Sequence, residues 1–370
     1  MARKFGKKNK IKVDPLAYNL GLIGESGIGK TTLAVDTCEK LVGTDGYLIL
    51  NFGKEDGVDA IPNAMYEDVP EWDIFEEIVD DIIENRNTDY KDLRVLVYDT
   101  FDELMRVAEP EVIRLHNKEN PDKKVKSIKA AFGGFQAGED KAIDLVLDKM
   151  WALKRVGISM FVIGHTKRKS MTDLVTGQEY EMLTTNMSNR YFNAIKTKLH
   201  VLGVASINRD IEEVKVKQKI GKDKTIGNVL GEQRIITFRD DNFNIDSKSR
   251  FSDITSSVSL TTDEFIGAIE GAIKSSFKKQ GSKTTLEEEK IQQEKEKQDS
   301  LEEELKDRLK SKVNVEKNVK LIEVVKERYP KASDDVKKKV KSIMDEYNIQ
   351  SFKDAEETST EGLQKIVNII

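Results

Sequence analysis

An apolar run at residues 18–24, YNLGLIG, passes straight into Gly24-Glu-Ser-Gly-Ile-Gly29-Lys30-Thr31 and then into an amphipathic stretch, TTLAVDTCEKLV, at 31–42. This succession of strand, glycine-rich turn and helix constrains the fold more than any other feature of the chain. The turn matches G-x-x-x-x-G-K-[ST] without deviation, in the strand-to-helix context that gives the pattern its meaning. Glycines permit a tight loop whose N–H groups converge on phosphate oxygens, and the helix N-terminus adds partial positive charge. The ammonium of Lys30 suits the β- and γ-phosphates, and the Thr31 hydroxyl suits Mg²⁺. The pattern thus predicts that Gly24, Glu25, Ser26, Gly27, Ile28, Gly29, Lys30, Thr31 and Thr32 bind ATP.

The rest of residues 15–260 repeats the alternation. YLILNF (47–52), RVLVYD (94–99), ISMFVIG (158–164) and KLHVLGVASI (198–207) read as further strands, and EDKAIDLVLDKMWALKRV (139–156) reads as a second helix. Apolar positions recur every second residue or every third and fourth residue, as those elements require. The alternation predicts an α/β core with a mostly parallel central sheet and helices on both faces. Segments 213–219 and 234–239 read as later, antiparallel edge strands. Asp99 closes an apolar strand, so it is the expected second metal ligand beside Thr31. Thr100 follows it, so a water-orienting carboxylate must come from elsewhere. Glu55, just past the strand at 47–52, is the expected base, because ligands of open α/β sheets collect at the carboxyl ends of the strands.

Outside the core the composition shifts. Residues 1–14 form a basic arm with Arg3, Lys4, Lys7, Lys8, Lys10 and Lys12, expected to be mobile. Residues 261–316 read as a helix and a charged linker, either a solvated single helix or loose chain. Residues 317–370 regain apolar periodicity and read as a small helical module. Charged residues make up 34% of the 370, well above the usual quarter, which fits an extended solvated part. The net charge of -5 does not by itself mark a nucleic-acid binder. One cysteine, Cys38, excludes a disulfide framework, and three dispersed histidines, His116, His165 and His200, argue against a histidine metal centre. No apolar run approaches the roughly 20 residues of a membrane span. No apolar stretch follows the basic N-terminus, so a cytoplasmic location is expected.

GESGIGKTT, the Asp-Thr at 99–100 and the carboxylate after the second strand resemble the RecA-type core of bacterial recombinases and of DnaB- and RadA-type ring ATPases. The resemblance covers about residues 17–255 and is nearest to phage-encoded RecA-like P-loop ATPases of the recombination and single-strand-annealing kind. It implies a DNA-stimulated ATPase acting on single-stranded DNA in the cytoplasm of a phage-infected bacterium. It places a γ-phosphate sensor at His165. It places DNA-facing loops at 130–142 and after His165, with Lys167, Arg168, Lys169, Arg190, Phe132 and Phe135 as contacts and Tyr180 as a further stacking residue. It implies that Lys248 and Arg250 reach the γ-phosphate in a neighbouring copy, so that a ring or short filament is the active form. The tail is expected to bind a single-strand-binding or replication protein. A ring helicase, helicase loader or other motor, and a nucleotide-gated DNA-binding scaffold with negligible turnover, use the same phosphate loop and stay open.

Overall fold

The computed structural model describes residues 9–53, 57–172, 176–216, 224–239, 247–281, 284–347, 349, 351–352, 355 and 358–370. The chain begins with β1 (Leu20–Gly24), α1 (Lys30–Val42), β2 (Tyr47–Phe52), β3 (Tyr66–Val69), α2 (Trp72–Glu84), β4 (Val95–Asp99) and α3 (Phe101–Glu119). Then come α4 (Ala137–Arg155), β5 (Ser159–Thr172), β6 (Glu179–Thr185), α5 (Asn189–Lys196), β7 (Val201–Val216), β8 (Lys224–Thr237), β9 (Lys248–Ser249) and β10 (Ser257–Ser259). Four helices end it: α6 (Thr262–Gln280), α7 (Leu286–Arg328), α8 (Asp334–Glu346) and α9 (Thr360–Ile369).

Six strands run parallel in the order β3-β2-β4-β5-β1-β7, and β8 and β10 extend the sheet antiparallel beyond β7. Side chains alternate between faces. Leu96 and Tyr98 of β4 join Met160 and Val162 of β5 under α2, α3, α4 and α5. Val95 and Val97 join Phe161 and Ile163 under α1 and α6. Continuous apolar runs are what a sheet covered on both faces needs. Cys38 is fully buried on the inner face of α1.

The sequence reading gave the helices at 31–42 and 139–156 and the parallel strands, but not β3, α2 or α3. The strand expected at 158–164 continues to Thr172 and pairs antiparallel with β6, forming a hairpin. Of the segments expected as an antiparallel edge, residues 213–216 belong to the long strand β7 and 234–237 to the long strand β8, while 217–219 lie outside the described residues. Two compact units divide the chain, Met1–Glu294 and Lys295–Ile370. In the first, α6 buries Phe265, Ile269, Ala272 and Ile273 against the sheet, so the core packing runs on past residue 260. Ile11 and Val13 of the basic arm are tied down: their N–H groups donate to Gln280 Oε1 at 2.8 Å and Gln293 Oε1 at 3.0 Å. The second unit builds its own small core from Val325, Val340, Ile349 and Ile366. There the buried Asn318 side chain donates to Ala355 O and Thr358 O at 2.9 and 2.7 Å.

His200 sits at the amino ends of the parallel strands, where its Nδ1 accepts from Asn19 N at 3.0 Å. Burial, reinforced by Lys154, Arg250, Lys12 and Lys248, pushes its pKa down to about 4. The unfolded ring takes up a proton near pH 6.5. Between those values the unfolded chain binds more protons, so stability is full above about pH 6.5 and falls as the pH drops toward 4. Denaturant unfolding at stepped pH is expected to show that slope in the native chain and a shallower one in His200→Gln. Identical slopes would contradict the assignment.

Candidate functional site

β1 ends at Gly24, which lies in register with His165 on one side and Ala205 on the other. A side chain at Gly24 would meet the Ala205 carbonyl oxygen at 2.9 Å, so glycine is required where the loop leaves the sheet. Gly29 caps α1 with φ 106°, a left-handed value that favours glycine. The loop so formed points Lys30 back across itself. Its buried ammonium donates to Gly24 O at 3.1 Å and Glu25 O at 3.0 Å. The Thr31 hydroxyl donates to Asp99 Oδ2 at 2.7 Å. Asp99 is 4% exposed. Burial pushes its carboxyl up, while the Thr31 hydrogen bond and the charges of Lys30 and His165 pull it down, and burial wins. β5 lies between β1 and β4, so these two groups meet across a strand rather than from adjacent ones. Beside them the buried Thr100 hydroxyl has no hydrogen-bond partner among the described residues.

His165 emerges from β5 between the loop and Asp99. Its Nδ1 is 2.8 Å from Asp102 Oδ2, and its N–H donates to Asp102 Oδ1 at 3.3 Å. Asp102 stands in the first turn of α3 and is buried. Burial raises its carboxyl, but the hydrogen bond and charge of His165 outweigh that and hold it below the usual range. The sequence reading missed this partner. Its signal was an acid three residues after Asp99, where a helix starting at Phe101 turns its first turn back toward the sheet edge. Asn186 N donates to His165 O at 2.9 Å and ties the end of β6 to the same point.

The β5–β6 hairpin separates the three expected basic contacts. Strand alternation puts Lys167 and Lys169 on one face and Arg168 on the other. Arg168 reaches the phosphate loop itself, donating to Glu25 Oε1 at 3.0 Å and to Glu181 Oε2 at 3.4 Å. Arg190 begins α5 and pairs with Asp140 at 2.8 Å and with Gln136, across to the start of α4. Phe132 packs on His116, ring centroids 5.2 Å apart, whereas Phe135 is 101% exposed. From Phe132 to Gln136 five consecutive residues have positive φ, 53°, 95°, 77°, 49° and 72°. Three of them are not glycine, so the backbone holds Phe135 outward at a cost of about 1 kcal/mol or more per residue. Glu55 and the side chain of Tyr180 lie outside the described residues.

Lys248 and Arg250 stand at the opposite edge of the sheet. β9 pairs with the first residues of β7, and the two side chains donate to Lys196 O and Thr197 O at the end of α5, each at 2.6 Å. Cations suit the carbonyl end of a helix. A residue the sequence did not suggest, Arg234 of β8, touches the phosphate loop from outside: its guanidinium donates to Ile28 O at 3.2 Å. Only the antiparallel pairing of β8 with β7, Ile207 opposite Arg234, carries it there.

A hydroxyl and a carboxylate in contact at a glycine-rich, lysine-bearing loop make an all-oxygen donor pair of the kind Mg²⁺ takes when phosphates and water complete its shell. No cluster of three or more acidic, histidine or cysteine ligands occurs among the described residues. No helix among them is long and apolar enough to cross a membrane. The fold and this loop define a P-loop ATPase. Residues 17–251 match the family model of the AAA domain, and the chain belongs to that family. No curated protein matches it.

Arg234→Ala removes the outer buttress of the loop without touching the inner groups. Nucleotide affinity is expected to fall about three- to tenfold, as for the loss of one charge-assisted hydrogen bond. Arg234→Lys should recover part of it, and the unfolding midpoint should stay within about 2 °C. Titration of a fluorescent ATP analogue checks this; unchanged affinity would remove Arg234 from the site.

Proposed function

We propose that this protein is a RecA-like ATPase of phage DNA metabolism that binds and hydrolyses ATP and uses the cycle to control its grip on single-stranded DNA. The observation that carries the reading is the contact of Thr31 with Asp99 beneath the Lys30 loop. ATP phosphates would draw the Lys30 ammonium from the loop carbonyls it now contacts, because a charged acceptor outcompetes a neutral one. Mg²⁺ bound by Thr31 and Asp99 would spread the charge of the β- and γ-phosphates. Gly24–Thr32 hold the phosphate chain through N–H groups, and Glu55 orients the attacking water. Asp102 fixes the ring of His165, which reports the γ-phosphate. Lys248 and Arg250, remote from their own loop, act on the γ-phosphate of a neighbouring copy in a ring or short filament, as their opposite-edge position allows in head-to-tail assembly.

Several features support coupling to DNA. Arg168 joins the hairpin to Glu25 of the phosphate loop, so a change at one is felt at the other. Lys167 and Lys169 are exposed on the hairpin's other face, and Phe135 stands out at the same sheet edge, available to stack on a base. A nucleotide-gated DNA-binding scaffold with little turnover and a translocating motor would both use the same link. The C-terminal unit would dock a single-strand-binding or replication protein.

Measuring ATP turnover and assembly state with and without single-stranded DNA separates the readings. Stimulation by DNA is expected, with Lys30→Ala losing about 10²-fold or more of the rate while keeping its far-ultraviolet spectrum. Arg250→Ala should bind ATP but not turn it over, and mixing it with Lys30→Ala chains should restore activity. Absence of rescue would defeat the shared-site reading, and ATP-dependent DNA affinity without turnover would select the scaffold.

A further inference from the structure

At the amino-terminal edge of the sheet four elements bring four cations and a histidine together. Lys12 comes from the arm, Lys154 from the last turn of α4, His200 from the start of β7, and Lys248 and Arg250 from β9 and the residue after it. Their present partners are neutral. Lys154 donates to Asn19 Oδ1 and lies 6.0 Å from the Trp151 ring centroid. Lys248 and Arg250 rest on backbone carbonyls of α5 and the residue after it, and Asn19 N occupies His200 Nδ1. None of the five forms an ion pair with a carboxylate among the described residues. Asp240, Asp241 and Asp246 lie outside those residues.

We propose that Lys12, Lys154, Lys248 and Arg250, grouped around the uncharged ring of His200, form a binding site for a phosphate-chain anion, on the sheet edge opposite the phosphate loop. The argument is one of charge accounting. Like charges gathered at a half-buried edge repel one another, and their donors exceed the neutral acceptors at hand. Lys154 offers three N–H groups and Arg250 five, with one contact apiece to Asn19 Oδ1 and Thr197 O. Capping of α5 explains two of the cations but not Lys12 or Lys154. The mutual strain shows in the ammonium of Lys154, held down to about 8 by burial and by Lys12, and in Lys248, lowered by burial, Arg250 and Lys196. A multiply charged anion relieves all of these at once, and tetrahedral phosphates with several acceptors fit a guanidinium and two ammonium groups better than a single carboxylate does. At the other edge Arg168 and Arg190 have internal carboxylate partners and Lys167 and Lys169 lie along an exposed strand, whereas here the cations converge around one ring.

The test reads lysines individually and needs no turnover. The full-length Lys30→Ala chain, which disables the phosphate loop, is acetylated at pH 8 with and without inorganic tripolyphosphate, and modification is followed by peptide mass spectrometry. Lys154, partly deprotonated at that pH, is expected to lose about tenfold of its reactivity on anion binding, as protonation is favoured. Lys338, exposed on α8, is the control and should not change. A single-stranded oligonucleotide in place of tripolyphosphate separates the sources: protection at lower concentration by the polymer assigns a nucleic-acid backbone, and protection by tripolyphosphate and ATP alone assigns a nucleotide. In parallel, Lys154→Gln introduced into the Lys30→Ala chain, where the glutamine can still bond Asn19, should raise the unfolding temperature in the absence of anion and abolish the rise that tripolyphosphate gives Lys30→Ala. Equal responses of Lys154 and Lys338 would overturn the proposal. So would a lower unfolding temperature for Lys154→Gln. Protection confined to an Asp240→Asn, Asp241→Asn, Asp246→Asn chain would do the same, because those aspartates would then be the counter-charge. Failure here leaves the phosphate-loop reading intact, and the role of Lys248 and Arg250 in a neighbouring copy is tested separately by mixing Arg250→Ala with Lys30→Ala chains.

Discussion

The hydrogen bond from Thr31 to Asp99 is the contact on which the remaining architecture turns. Thr31 follows β1 through the phosphate loop and Asp99 ends β4, and β5 separates those strands, a gap of two strand spacings or about 10 Å. Only a loop that folds back over the sheet edge and a carboxylate at the end of its strand can close that gap. This fixes the length of β1, the start of α1 at Lys30 and the end of β4 at Asp99. The intervening strand then has one place for its own polar residue, and His165 fills it. Asp102, in the first turn of the helix that follows Asp99, is the nearest group that can hold that ring.

Apolar packing sets this edge in place. The inner parallel strands β2, β4, β5, β1 and β7 send alternate side chains to two separate cores, one roofed by α2 to α5 and the other by α1 and α6. Burial on both faces leaves the ends of these strands facing solvent, so polar chemistry collects there. The two rims differ in charge. At the carboxyl rim, Arg168 and Arg190 meet carboxylates from the phosphate loop and from α4. At the amino rim, Lys154, Lys248 and Arg250 rest on an amide and on backbone carbonyls.

Much of this was legible in the sequence where the information was local. The phosphate loop, the strands around it and Asp99 are read from contiguous residues whose spacing has one physical reading. Asp102 left a faint local trace, an acid at the start of a helix. Arg234 left none, because its position depends on a long antiparallel pairing that brings residue 234 opposite residue 207. The three basic residues at 167–169 read as one cluster in the sequence, and strand alternation divides them between two faces. Lys248 and Arg250 were placed on one face by their spacing, and their side chains do reach adjacent carbonyls, but nothing in the spacing identifies those carbonyls as the end of α5.

The single cysteine has a practical meaning. Cys38 is sealed on the inner face of α1, and burial together with Glu39 pushes its thiol up to about 12. A thiol so protonated and enclosed is inert to maleimides and iodoacetamides under ordinary conditions. The native chain is therefore already a blank background for thiol labelling. A cysteine placed at an exposed position such as 135 would carry the sole reactive sulfur, and a dye or spin label there would watch the outward-held turn respond to nucleotide without prior removal of any natural residue.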